Sequence, residues 1–108
     1  MPIVGEIRTF AFDDQSPGWE RLKRDGWLEC DGQRISTAVY KRLYEALGPA
    51  WGQDESTTFR VPDMRAMFLR GWNHGRPNHI DEGVLNRKPS GPNGSDRDRV
   101  GSLQEDVV

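Results

Sequence analysis

The fold is decided by Gly26-Trp27-Leu28-Glu29-Cys30-Asp31-Gly32-Gln33 and, some thirty residues later, Thr57-Thr58-Phe59-Arg60-Val61-Pro62-Asp63-Met64-Arg65. Neither half resembles a catalytic motif. Asp31-Gly32 has the chemistry of a turn, and residues 57–61 alternate with the period of two that predicts a short strand. Pro62 cannot donate to a ladder, so this strand lies at a sheet edge or ends there. We interpret the pair as two halves of one small structural module.

A helix is predicted between the two halves, over residues 37–47. Ser36 is a suitable N-cap, since its hydroxyl can accept from an otherwise unpaired backbone N–H. Gly48 and Pro49 supply the stop. One apolar face follows the i, i+3, i+4, i+7 spacing and consists of Tyr40, Leu43, Tyr44 and Leu47.

Two further strands are predicted, over residues 3–12, which mix β-branched and aromatic side chains, and over residues 27–31. Residues 19–25 are basic and short, consistent with a turn of helix or a surface loop. The predicted fold class is α+β, with short strands packed on one helix and an extended, mostly irregular C-terminal segment.

The apolar content is divided unevenly along the 108 residues. All ten aromatic residues lie at or before position 72, and the last 36 residues contain only seven Ile, Val or Leu. We therefore predict a core domain over residues 1–72 and a polar extension over residues 73–108. Because so few apolar side chains cannot offset the entropy of ordering that extension, we expect it to be ordered only against the 1–72 domain, a neighbouring copy or another protein.

Composition excludes several classes of function. The net charge of −2 leaves no basic excess for collecting phosphates, so no nucleic-acid partner is expected. No apolar run approaches the roughly 20 residues of a membrane span. The single cysteine excludes an intrachain disulfide framework and suits synthesis in a reducing cytoplasm.

No catalytic or metal site is predicted. Cys30 has no histidine near it in sequence, so we interpret it as a small buried side chain. His74 and His79, with two acidic residues after them, lack the tight paired spacing of a structural zinc site. Asp63, Arg65 and Arg70 are interpreted as an ion-pair network around the turn after Val61. No cofactor is expected.

The tryptophans separate into two groups. Trp27 and Trp51 lie within or beside predicted core elements and are assigned to packing. Trp19 and Trp72 lie near segment boundaries and are candidates for a subunit interface or a ligand surface. The full set of interface or ligand-surface candidates is Trp19, Trp72, Arg70, His74 and His79.

The ordered series of motifs over residues 5 to about 72 resembles the phage tail collar domain. The resemblance is carried by Gly5-Glu6-Ile7, Pro17-Gly18-Trp19, residues 26–33, the predicted helix, Trp51-Gly52, residues 58–65 and Phe68-Leu69-Arg70-Gly71. It assigns structural positions within the motif to Trp27, Cys30, Asp31, Gly32, Pro62, Asp63 and Arg65. Members that bind metal on a trimer axis use a His-x-His pattern, which this sequence lacks, so no metal is carried over.

The resemblance implies a non-enzymatic, structural or host-attachment part of a phage tail, a prophage tail or a contractile injection particle. It also implies a homotrimer that contacts other tail or fibre proteins, made in the bacterial cytoplasm and located in the tail fibre or baseplate region. Two alternatives stay open: a carbohydrate-binding module that contacts a host-surface glycan, and an adaptor that binds another particle protein through the extension. A fibre-borne hydrolase is disfavoured because no paired-acid or nucleophile–base signature is present.

Overall fold

The computed structural model describes residues 2–77 and 83–104. Its regular elements are helix α1 (Gly18–Arg24), strand β1 (Arg34–Ser36), helix α2 (Lys41–Leu47), strand β2 (Thr58–Arg60), a 3-10 turn (Val84–Asn86), strand β3 (Lys88–Pro89) and strand β4 (Ser102–Leu103). The α+β fold class predicted from the sequence is confirmed, although the described residues contain two helices where one was predicted.

Strands β1 and β2 form an antiparallel pair around the apolar core. The register places Ile35 opposite Phe59, and both side chains point into the core with Val61. Phe59 has no exposed surface, and its ring lies 5.0 Å from the ring of Tyr44 on α2. The strand predicted over residues 57–61 is therefore confirmed, and its period-two pattern correctly identifies the buried face.

Helix α2 begins four residues later than predicted. The Thr37 amide donates to the Thr57 carbonyl at 3.0 Å, so strand pairing continues beyond β1 and Thr37 cannot enter the helix. The Ser36 hydroxyl accepts from the Val39 amide at 3.2 Å, which closes a turn ahead of the helix. The predicted end is correct, because Gly48 is the C-cap and adopts a positive φ of 57°.

The strands predicted over residues 3–12 and 27–31 are wrong for this single chain. The Trp27 amide donates to the Leu22 carbonyl at 3.0 Å, which ties residue 27 to the end of α1. Asp31 makes one isolated bridge to Asp63, and residues 7–12 have no backbone partner within the described ranges. Strand-type side chains do not make a strand where no second backbone lies beside them.

The described part of the C-terminal segment lies against the loop that follows α2. The Ser95 amide donates to the Ala50 carbonyl at 2.9 Å, and the Gln53 amide donates to the Pro92 carbonyl at 2.6 Å. Within the segment, β3 pairs with β4 and Val84 is buried. These contacts supply the external support that the segment requires, while the division of the chain at residue 72 stays a prediction.

Candidate functional site

The two halves of the sequence motif meet in a backbone ladder. The Gly32 amide donates to the Pro62 carbonyl at 3.1 Å, and the Met64 amide donates to the Cys30 carbonyl at 2.9 Å. Residues that are thirty positions apart in sequence thus hold each other in place. This ladder fixes where the chain emerges after Pro62, and so it positions the segment that follows.

The carboxylates of the motif are occupied by local hydrogen bonds. Arg65 donates to both oxygens of Asp63 at 2.8 Å, and this guanidinium is the main reason that the pKa of Asp63 is lowered. Asp31 accepts from the Gln33 amide at 3.1 Å. Gly32 has a φ of 75°, and a Cβ there would lie 3.1 Å from the Asp63 Cβ. These acids therefore serve as turn and ion-pair groups.

Cys30 and Trp27 are packed beside this ladder. Partial burial, with a smaller contribution from the Asp31 charge, raises the pKa of the Cys30 thiol, which disfavours the reactive thiolate. The Trp27 ring meets the edge of Phe10 at 5.6 Å, and the Arg8 guanidinium lies 5.4 Å from its centroid. Both side chains are engaged within the chain.

Asp98 holds together the segment that follows the motif, in an arrangement we call the Asp98 clamp. Its carboxylate accepts from the amides of His74 at 2.9 Å and Gly75 at 2.7 Å and from Asn73 Nδ2 at 3.1 Å. Its carbonyl accepts from Trp72 Nε1 at 3.0 Å. Trp72 also stacks on His74, with ring centroids 3.9 Å apart and an angle of 11°. The two candidates Trp72 and His74 thus form one unit, while His79 lies outside the described residues.

The Asp98 clamp should open in acid. The Gly75 amide is the largest of several hydrogen-bonding causes that lower the pKa of Asp98, so the clamp is fully present above the ordinary carboxyl pKa of about 4. It is lost as the pH falls through the lowered folded value. We expect the Trp72 indole N–H resonance and the exchange of the His74 and Gly75 amides to report this opening.

Asp98→Asn should produce the open state at neutral pH, because a neutral amide accepts more weakly than a carboxylate. We expect amide exchange at His74 and Gly75 to become at least several-fold faster. Asp96→Asn removes the same charge two residues away and should leave both amides unchanged. Equal effects of the two substitutions would show that the clamp depends on net charge rather than on the hydrogen bonds of Asp98.

Between the motif and the clamp the chain presents an apolar strap, residues 67–69. Phe68 is 95% exposed and Leu69 is 69% exposed. Trp72, which is 48% exposed, follows three residues later, and Arg70 lies on the surface between them. Phe68 and Leu69 thus form an exposed apolar patch, a kind of surface that soluble proteins commonly use for interaction.

A groove of about 710 Å³ runs beside the strap. We call it the aromatic groove, because four of its lining side chains are aromatic: Phe10, Phe12, Trp19 and Trp27. Met67 and Leu69 of the strap also line it. Trp19 on α1 therefore belongs to this groove, whereas Trp72 and His74 belong to the clamp.

These elements follow one order along the chain: ladder, strap, clamp. Residues 5–69 match the Phage Tail Collar Domain family, a match that covers the ladder and the strap. The chain belongs to the phage tail collar domain family. This family is a structural family of phage tails, so the collar chain has a tail-related structural role.

Two curated proteins are similar to the chain, and the similarity to the first is longer than the collar match. The chain is 40% identical over 91 residues to protein RhiB of Rhizobium leguminosarum bv. viciae, which covers 81% of the chain and 40% of RhiB. It is 37% identical over 51 residues to the uncharacterized protein StfE of Escherichia coli K12, covering 47% of the chain and 24% of StfE. The collar chain thus spans less than half of the length of either relative. No solved structure matches it.

Within residues 2–77 and 83–104, no group of three or more His, Cys, Asp or Glu side chains is placed to hold a metal ion. None of the helices in those ranges combines the length and the apolar character that crossing a membrane requires.

Sequence reasoning missed Asp98 and Phe68. The run Asp96-Arg97-Asp98-Arg99 alternates in charge and is typical of a solvated segment. Nothing in it distinguishes the one carboxylate that binds residues 73–75, more than twenty positions away. Phe68 belongs to an apolar run, which is more often buried than exposed.

Proposed function

We propose that the collar chain is an assembly unit of a phage tail or tail-like particle that associates as a homotrimer through its apolar strap. The observation that carries this proposal is the exposure of Phe68 and Leu69 directly after a rigid ladder. The ladder fixes where the strap emerges, and the Asp98 clamp holds the chain that follows. An apolar segment fixed at both ends is preorganised for association, which lowers the entropy cost of binding.

The small core supports the same proposal. The described residues bury three large hydrophobic side chains in one core cluster, Ile35, Phe59 and Val61. A domain of this size gains stability when it also buries surface against a neighbour. Burying Phe68 would contribute roughly 1.5–3 kcal/mol, which is a large share of the stability of a small domain.

We propose a non-enzymatic role in the fibre or baseplate region, with contacts to other tail or fibre proteins and a contribution to host-surface attachment. The acids of the motif support this assignment, because Asp63 is bound to Arg65 and Asp31 to a backbone amide. The raised pKa of the Cys30 thiol points in the same direction. These groups hold the ladder together and are not poised to transfer protons or attack a substrate.

The test replaces one exposed apolar side chain. Phe68→Ser should weaken self-association about 10- to 150-fold, the equivalent of the roughly 1.5–3 kcal/mol that its burial contributes. The control is Val39→Ser, which also removes an apolar side chain that is 75% exposed but lies away from the strap. Sedimentation over a concentration series measures both. If both variants associate as tightly as the unmodified chain, the strap is not the assembly surface.

A further inference from the structure

Residues 7–12 have the chemistry of a strand but no partner. The segment Ile7-Arg8-Thr9-Phe10-Ala11-Phe12 is rich in β-branched and aromatic side chains. All six residues are exposed, and within residues 2–77 and 83–104 none of their backbone N–H or C=O groups makes a hydrogen bond. They form an open edge that can pair with a second backbone.

Alternate side chains of this segment lie on the same side, as they do in a strand. Arg8 lies over Trp27, Phe10 meets the edge of the same ring, and Phe12 lies 5.7 Å from Phe10. Arg8, Phe10 and Phe12 thus share the side that meets Trp27, with the period of two of a β-strand, and Ile7 and Thr9 also line the aromatic groove. The ring contacts anchor the segment beside the groove.

The apolar strap shows the same alternation. Met67 and Leu69 line the aromatic groove, whereas Phe68 is almost fully exposed and is not among the lining residues. In the described ranges the amides of Phe68 and Leu69 also have no backbone partner. The aromatic groove is therefore bordered by two segments that each have strand-like facing and unpaired backbone groups.

We propose that the strap of a second copy enters the aromatic groove and adds to residues 7–12 as a β-strand. This inference rests on the assembly function proposed above and names the surface that receives the strap. The contact is heterologous, because the strap and the groove are different parts of the chain. Repetition of such a contact closes a ring when the rotation between copies allows it.

The charges favour a second copy as the occupant. Among the described residues, the groove is lined by four acidic residues and two basic ones: Glu6, Asp14, Glu29, Asp31, Arg8 and Lys23. The strap is followed directly by Arg70. A groove with an excess of acidic side chains and an apolar segment that ends at an arginine are complementary.

The apolar area that the strap and the groove expose is also large enough for a specific contact between two copies. Phe68 and Leu69 contribute about half of it, and Ile7, Phe10, Phe12 and Met67 contribute partly exposed side chains. Taking about 200 Å² for a whole aromatic side chain, these residues expose roughly 600 Å² of apolar surface. Because apolar groups make up about 57% of a protein interface, complete burial of this surface corresponds to a contact of roughly 1,050 Å², close to the roughly 1,000 Å² expected of a specific one.

Hydrogen exchange of the chain at two concentrations tests this inference. In the assembled form the alternate amides of residues 7–12 that face the added strand should exchange at least 10-fold more slowly than in the dilute monomer. Thr9→Pro removes one backbone donor and should weaken association at least 10-fold, because proline disrupts strand pairing. It should leave the unfolding midpoint of the dilute monomer unchanged, since the Thr9 amide has no partner there. Thr9→Ala keeps the amide and should associate normally.

The possible outcomes separate this inference from the proposed function. If the chain assembles while residues 7–12 exchange equally fast in both forms, strand addition is overturned and assembly through the strap stands. If the chain does not self-associate, both proposals fail. A third outcome is that a neutral oligosaccharide binds the monomer and prevents assembly, and that Trp19→Ala abolishes this binding. The groove would then be a sugar site, and strand addition would likewise be overturned.

Discussion

Phe59→Ala is expected to lower the melting temperature of the chain by roughly 15–30 °C. Phe59 has no exposed surface and joins Ile35 and Val61 in the core. Deleting a buried phenylalanine side chain costs about 3–5 kcal/mol, since it removes apolar burial and leaves a cavity. Each kcal/mol shifts the melting temperature of a domain of this size by roughly 4–8 °C, so we expect a largely unfolded population at 37 °C.

The matched control is Phe68→Ala, which deletes the same side chain from a position that is 95% exposed. Measured by circular dichroism on dilute protein, it should leave the melting temperature within about 4 °C, because surface substitutions usually change stability by less than about 0.5 kcal/mol. Similar shifts for the two variants would contradict the assignment of Phe59 to the core and of Phe68 to the surface.

Gly101→Ala is expected to detach residues 83–104 from the loop after α2. Gly101 has a φ of 100°, and a Cβ there would lie 2.5 Å from the Ala50 carbonyl oxygen. The substitution combines about 1–3 kcal/mol of backbone strain with a collision that only movement can relieve. The Ala50 carbonyl also accepts from the Ser95 amide. Moving Ala50 to relieve the collision would therefore break a hydrogen bond that holds residues 83–104 in place.

Gly26→Ala is the control that separates backbone strain from the collision with Ala50. Gly26 has a similar φ of 87°, but a Cβ there would meet nothing within 4 Å. It should cost only the backbone strain and leave residues 83–104 attached. Limited proteolysis with peptide mapping measures the difference: Gly101→Ala should be cleaved within residues 83–104 at least 10-fold faster than Gly26→Ala. Equal cleavage would mean that the approach of Gly101 to Ala50 does not hold the segment.

The sequence predicted correctly those features that depend only on neighbouring residues in the chain. The buried face of β2 follows from the alternation around Phe59, and the end of α2 follows from Gly48. The beginning of α2 could not be predicted in the same way, because the Thr37 amide is taken by Thr57 on another strand. The N-cap pattern at Ser36 is local, so it cannot predict that a distant strand binds the amide of the next residue.

The two wrong strands have a related cause. Residues 7–12 carry strand-type side chains, but a strand also needs a neighbour, and no sequence pattern states where that neighbour comes from. Under the proposed strand addition the prediction describes the assembled chain better than the isolated one. Residues 27–31 instead run from the end of α1 to the short ladder around Asp31 and Asp63, which is too short to make them a strand.

The candidate site was predictable only in part. The position of Trp72 near a segment boundary predicts it as a candidate, whereas its stacking on His74 is seen only in the structure. Asp98 was not, since the hydrogen bonds that define its role join residues more than twenty positions apart. The sequence shows that the strap is apolar, but only the structure shows its exposure, on which the proposed assembly surface rests.

The mass of the chain in solution decides whether the strap assembles a homotrimer. One chain has a mass of 12.3 kDa, so a homotrimer built through the strap has three times that mass, about 37 kDa. Sedimentation equilibrium should give this value for the unmodified chain and a shift toward the single-chain mass for Phe68→Ser. A mass of one chain at every concentration tested, with no difference between the two proteins, would contradict the account.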